Sequence, residues 1–220
     1  MNKYVIRPAT IADADFIATT IIEAEKSGTD RCGMALYFDI DEKELHNYLI
    51  QMLEEEVDGC ELSISSFFIA TIDDIPVAAL GGWLEGENED NMSSSLLKSN
   101  LIGYCLPSEK VAKTRDKIEI VKDIQVEREK GTYQFEYAYV HPDHLGHKLM
   151  QKLMLEHFAK AKEIDPNVTK VYSHPFVHND TIIKVHEQMG FKIVREYKSS
   201  NPLTKLYYPS DTLVLMEAEL

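Results

Sequence analysis

Residues 132–164 constrain the fold more than any other stretch of this chain. Residues 132–140 alternate strand-favouring side chains and His141-Pro142-Asp143 forces a turn. From 146 to 164 apolar residues then recur at helical spacing, with Leu149, Leu153, Phe158 and Ala161 on one stripe. A strand that turns directly into an amphipathic helix needs a sheet for the one to pair in and a sheet face for the other to cover.

The rest of the chain supplies such a sheet. Residues 4–7 read as a strand, and Pro8-Ala9-Thr10 leads into a helix over 11–24 with Ile11, Phe16, Ile17, Thr20 and Ile21 at helical spacing. Residues 36–56 read as a second helix, with an apolar stripe of Leu45, Leu49, Met52 and Leu53 and an acidic first turn. Residues 66–71 and 76–84 form a hairpin around Asp73-Asp74. Further on come a strand over 168–173, a helix over 179–189 closed by Gly190, and strands over 191–197 and 212–218. Between 85 and 131 the pattern breaks down into helix-like pieces over 94–102 and 109–124, parted by Pro107. Short helices over a substrate cleft are expected there, since structureless loops of this length are uncommon. The order predicts an α/β fold: a mixed sheet of seven strands flanked by helices, with a helical insertion over 85–131 before the fourth strand.

With 220 residues, 44% of them hydrophobic, one domain over 1–220 is expected. The sequence has no apolar run of eighteen residues, and residues 1–9 read as a strand and not as a signal peptide. A cytoplasmic protein with no membrane partner is therefore expected. Three widely spaced cysteines suggest neither a disulfide framework nor a thiolate metal site. His141, His144 and His147 are spaced by three, but no cysteine cluster supports them as ligands, so no metal is expected. The formal charge of −14 argues against nucleic acid as a partner and suits a cationic one.

Three segments carry a family resemblance: Ile6-Arg7-Pro8-Ala9 before a helix, Val140-His141-Pro142-Asp143-His144-Leu145-Gly146, and 179–191, which opens with Asn179 and closes with Gly190-Phe191. Together with the element order, they make nearly the whole chain resemble the GNAT superfamily of acyl-CoA N-acyltransferases. The resemblance implies acetyl-CoA as co-substrate and an amine of a small molecule or peptide as acceptor, acetylated by direct attack in a ternary complex. A homodimer is left open.

In this family a loop of the form Arg/Gln-x-x-Gly-x-Gly/Ala grips the coenzyme pyrophosphate with backbone amides and a helix N-terminus. The matching positions here are Leu145, Gly146, His147, Lys148, Leu149 and Met150, so only the tolerant position is glycine. Tyr139 and Val140 at the strand end and Asn179 at the next helix start complete the implied coenzyme site. Glu136 stands where many relatives place a general base; the other reading puts it on the polar face of an ordinary strand. His186 replaces the tyrosine that relatives use to protonate the departing thiolate, and an imidazole partly protonated at neutral pH can donate in its place. Tyr137 and Tyr139 are alternative acids. The competing expectation is a catalytically degenerate module of the same fold that no longer grips coenzyme.

Overall fold

The computed structural model describes residues 4–220. In chain order the elements are β1 (Val5–Pro8), α1 (Ala14–Lys26), α2 (Gly33–Phe38), α3 (Glu42–Glu54), β2 (Phe67–Ile72), β3 (Ile75–Leu84), α4 (Ser94–Cys105), α5 (Ser108–Ala112), α6 (Ile118–Val121), β4 (Tyr133–Val140), α7 (Leu149–Ile164), β5 (Lys170–Ser173), α8 (Asp180–Gln188), β6 (Lys192–Lys198) and β7 (Thr212–Glu219). The seven strands form one sheet in the order β1-β2-β3-β4-β5-β7-β6. All neighbours are antiparallel except β4 and β5, which run parallel because α7 carries the chain back between them. The mixed α/β architecture expected from the sequence is the one observed.

Each face of the sheet has its own core. Ile17, Ile21, Leu45, Leu49 and Leu53 of α1 and α3 pack with Phe67, Ile69 and Tyr137. On the other side Leu149, Leu153 and Met154 of α7 pack with Tyr133, Phe135, Val171, Phe191 and Met216. The β2–β3 hairpin turns on Asp73 and Asp74, both at positive φ (51° and 64°), the backbone that a two-residue turn between right-twisted strands requires. The insertion is helical as expected, with Pro107 as the cap of α5, and α4 buries Leu97 and Leu101 in the same cluster as α1 and α3.

Two readings are corrected. Residues 36–56 are two helices: Asp39 is left-handed and ends α2, and Asp41 then caps α3 by accepting from the Glu44 amide at 2.7 Å. The helix after the His-Pro turn starts at Leu149 and not at Gly146, because Gly146 (φ 81°) and Lys148 (φ 56°) are both left-handed. No helix among the described residues is long and apolar enough to cross a membrane.

Candidate active site

The site begins where β4 and β5 part. Their pairing covers only Tyr133, Gln134 and Phe135 against Val171, Tyr172 and Ser173. Beyond Ser173 the chain turns towards β7, where Phe176 bridges Leu213, so residues 136–140 of β4 lose their neighbour on that side. His141 donates to the Val77 carbonyl on β3 at 2.8 Å. Alternation along the strand then directs the polar backbone groups of Ala138 and Val140 to the open edge and those of Tyr139 back to β3.

At the parting β4 bulges. Leu80 pairs with Ala138 and Gly81 with Glu136, which leaves Tyr137 without a partner residue and at φ 53°. Gly81 makes this possible: a Cβ there would lie 2.9 Å from the Glu136 carbonyl and 3.1 Å from the Phe67 ring. A left-handed aromatic residue is a genuine backbone outlier, and such strain gathers at functional sites.

Around the bulge a hydrogen-bonded arc joins side chains from five segments. Tyr137 donates its phenol to Glu25 Oε1 (3.3 Å), and Lys98 Nζ donates to the Tyr137 oxygen (3.3 Å) and to Glu61 Oε1 (3.0 Å). Arg128 Nη2 donates to Glu61 Oε1 (3.3 Å) and to Glu136 Oε2 (3.0 Å). The Glu61 side chain is 1% exposed while those of Glu136 and Lys98 retain 25% and 27%, so the arc runs from the core to an accessible surface. Burial raises the Glu136 carboxyl above the ordinary range; Arg128 offsets this in part, and the Glu61 charge adds to it. Burial acts on Glu61 in the same direction, but Arg128 and Lys98 together outweigh it and hold that carboxyl at about 2. Glu25 is raised by burial, with Lys98 opposing. His174, just beyond β5, is pushed down to about 3 by burial and by Arg128, and is neutral at pH 7.

Below the open edge lies the loop into α7. Its left-handed residues hold it out of the helix, and among the described residues none of the amides of residues 146–151 finds an intramolecular acceptor; Lys148, the N-cap, supplies no side-chain cap. Leu145, Gly146, His147 and Lys148 are exposed, Met150 is buried beneath them, and a Cβ on Gly146 would have no heavy atom within 4 Å. A pyrophosphate would find here amides without intramolecular acceptors and the positive end of α7.

The remaining expected residues sit around this frame. Asn179 caps α8 by accepting from the Ile182 amide (3.2 Å) and donates to Ser27 Oγ (3.1 Å), tying α8 to the end of α1. Tyr139 packs on Phe16. His186 is buried, with Nδ1 2.8 Å from the Ile182 carbonyl, its ring edge-on to Phe191 and Nε2 without a partner. The expectation that this imidazole is partly protonated at neutral pH is corrected: burial lowers it to about 4. Glu25, Glu61, Lys98 and Arg128 were not legible as site residues. Each lies on a helix or in a loop with no local motif, and only the tertiary fold brings them to Glu136. No group of three or more potential metal ligands occurs among the described residues.

A seven-stranded mixed sheet, flanked by helices and parted between its two parallel strands, is the architecture of the GNAT acetyltransferase fold. The chain belongs to the acetyltransferase (GNAT) family, whose sequence profile matches residues 34–191. Its fold is similar to that of an N-acetyltransferase from Staphylococcus aureus Mu50, with a TM-score of 0.66 and 12% identity over 97% of this chain and 100% of that one. It is similar also to yncA of Salmonella typhimurium, solved with its cofactor acetyl-CoA (TM-score 0.52, 13% identity, 99% and 94% covered). A third similar fold is that of a ribosomal-protein-alanine N-acetyltransferase from Brucella melitensis (TM-score 0.52, 14% identity, 98% and 99% covered). No curated protein matches the chain.

Proposed function

We propose that this protein is an acetyl-CoA-dependent N-acetyltransferase that acetylates an amine of a small molecule or peptide by direct attack in a ternary complex. The observation that supports this reading is that one strand–turn–helix unit, β4 to α7, carries three features: the amides at the foot of α7 without acceptors, the β4 edge without a neighbour beyond Phe135, and Glu136 beside the bulge.

Bound acetyl-CoA supplies the activated acetyl thioester. The amides after Gly146, with His147 and Lys148 beside them, hold the pyrophosphate, and the free edge of β4 receives the coenzyme's amide-bearing arm as a short strand partner. Arg128 occupies Glu136 Oε2, which leaves Oε1 for the proton of the incoming ammonium. The raised carboxyl suits Glu136 to that task, since a base works best with a pKa brought nearer the working pH. His186 lies enclosed between the Ile182 carbonyl and Phe191 with its Nε2 buried, so in this reading it shapes the site from behind, and the proton on sulfur comes from the attacking nitrogen. Peptide amines stay within the reading because a similar fold is, by its name, a ribosomal-protein-alanine N-acetyltransferase. The reading places the enzyme in the cytoplasm.

Titration calorimetry with acetyl-CoA and with free coenzyme A is the test, followed by thiol release over a panel of amines. Micromolar binding of both ligands and amine-dependent release support the proposal. No binding at high ligand concentration overturns it in favour of a module that keeps the fold without the coenzyme.

A further inference from the structure

The arc around Tyr137 is unbalanced. It contains three carboxylates, Glu25, Glu61 and Glu136, against two cations, Lys98 and Arg128. Glu61 is matched by both cations and Glu136 shares Arg128, whereas Glu25 makes no ion pair among the described residues and receives only the Tyr137 phenol and the Met34 amide. His174 and Tyr208, whose ionisation burial suppresses, add no charge beside it. Acceptor capacity is also left over. Among the described residues Glu61 Oε2 is buried with no donor and Glu136 Oε1 makes no hydrogen bond.

We infer that the acceptor enters as a monoammonium cation, seated between Glu25 and Glu136 as the third positive charge of this arc, and that amines with a neighbouring carboxylate, such as free α-amino acids, are excluded. The inference rests on the acetyl-transfer reading and names its substrate class. Within the hydrogen-bonded arc charge then balances at each stage, with the buried Glu85 near Arg128 as a further acidic group outside it. With its carboxylates ionised the arc carries one net negative charge, and the ammonium cancels it. When an N–H bond breaks and the proton passes to Glu136 Oε1, amine and arc both become neutral. The nitrogen bonds the acetyl carbon as the carbon–sulfur bond breaks, the sulfur takes the second nitrogen proton, and Glu136 returns its proton to water. A carboxylate beside the amine would add a second negative charge next to Glu25, where Lys98 and Arg128 are already engaged, and like charges so placed are costly. The chain's formal charge of −14 acts in the same direction at longer range.

Trp83, the single tryptophan, lies under the Arg128 guanidinium at 5.1 Å and reports on the arc by fluorescence without any need for turnover. The probes are butylamine, norvaline, which is butylamine with an α-carboxylate, and norvalinamide, which has the same bulk without the negative charge. Butylamine and norvalinamide should bind at least about tenfold more tightly than norvaline. Glu25→Gln keeps an oxygen for the Met34 amide and should bring norvaline to within about threefold of norvalinamide while leaving acetyl-CoA affinity unchanged. Equal binding of norvaline and norvalinamide by the wild type, or no binding of any probe, overturns the inference. Binding of the monocations without thiol release from acetyl-CoA supports the charge assignment and overturns the acetyl-transfer reading instead.

Discussion

Replacing Glu136 by glutamine removes one charge and one base with almost no change of shape. The amide oxygen still accepts from Arg128 Nη2, which now sits 3.0 Å from Glu136 Oε2, and the arc is left with two carboxylates against two cations. Folding stability should therefore change by no more than about 1 kcal/mol, the scale of one hydrogen bond exchanged for a weaker one. Acetyl-CoA affinity should not change, since the amides at residues 146–151 are untouched. Turnover should fall by about 10²–10⁴, the usual worth of a positioned base, which corresponds to roughly 3–5 kcal/mol on the barrier. The pH profile provides a second check. Burial raises the Glu136 carboxyl, and the base acts only when ionised, so wild-type kcat/KM should fall with decreasing pH along a limb centred above the ordinary carboxylate range. In Glu136→Gln that limb should vanish. Thiol release followed between about pH 5 and 9, with calorimetry for the coenzyme, measures all three quantities. A variant that keeps turnover within about threefold of wild type, with the acid limb intact, would refute the assignment of Glu136 as base.

Three further outcomes follow from the packing. Lys148→Gly should leave the protein as stable as wild type or more stable by up to about 1 kcal/mol, because it relieves a left-handed non-glycine residue, while Lys148→Val should cost more than that; a clearly lower melting temperature for the glycine variant would contradict the observed loop. Gly82→Ala should lower the urea midpoint by the equivalent of about 1–3 kcal/mol, since its Cβ would lie 2.8 Å from His157 Nδ1 and 2.9 Å from the Tyr133 ring; an unchanged midpoint would mean that the two rings are not packed there. His157 and His186 are both 1% exposed and both lowered to about 4, so the stability that they contribute is fully present above the ordinary histidine value and is lost as pH falls towards 4. That loss is at most on the order of 3 kcal/mol per ring, opposed in part by the raised carboxyls of Glu25 and Glu136. Urea unfolding at pH 7 and pH 4.5 reads it, and a flat profile that persists in His157→Gln would show that these rings are not held neutral.

What the sequence revealed and what it hid divide along a physical line. The step from β4 to α7 was legible because a change of hydrophobic period is a local property, and the Asp73-Asp74 hairpin was legible for the same reason. Glu136 and His186 were legible as positions, since strand and helix spacing place them relative to the turn and to Gly190. Their chemistry was not, because protonation depends on burial and on charges from elsewhere in the chain: His186 reads as a partly charged donor until Phe191 and the Ile182 carbonyl enclose it. The arc was hidden altogether. Glu25 ends α1, Glu61 lies before β2, Lys98 is on α4 and Arg128 lies in the loop before β4, and none has a local partner to mark it.

The pyrophosphate loop makes the same distinction from the other side. A glycine-rich motif states two backbone requirements, a left-handed turn and room for a phosphate to approach. This chain meets the first with Gly146 and with Lys148 at φ 56°, and towards the second it keeps the Lys148 side chain exposed and the Met150 side chain buried. Lysine in that conformation costs roughly 1–2 kcal/mol, which the packing of Leu149 and Met150 beneath it readily offsets. The loss of glycines therefore removes the signature from the sequence while the amides of residues 146–151 stay without intramolecular acceptors among the described residues, and coenzyme affinity should follow the backbone and not the motif.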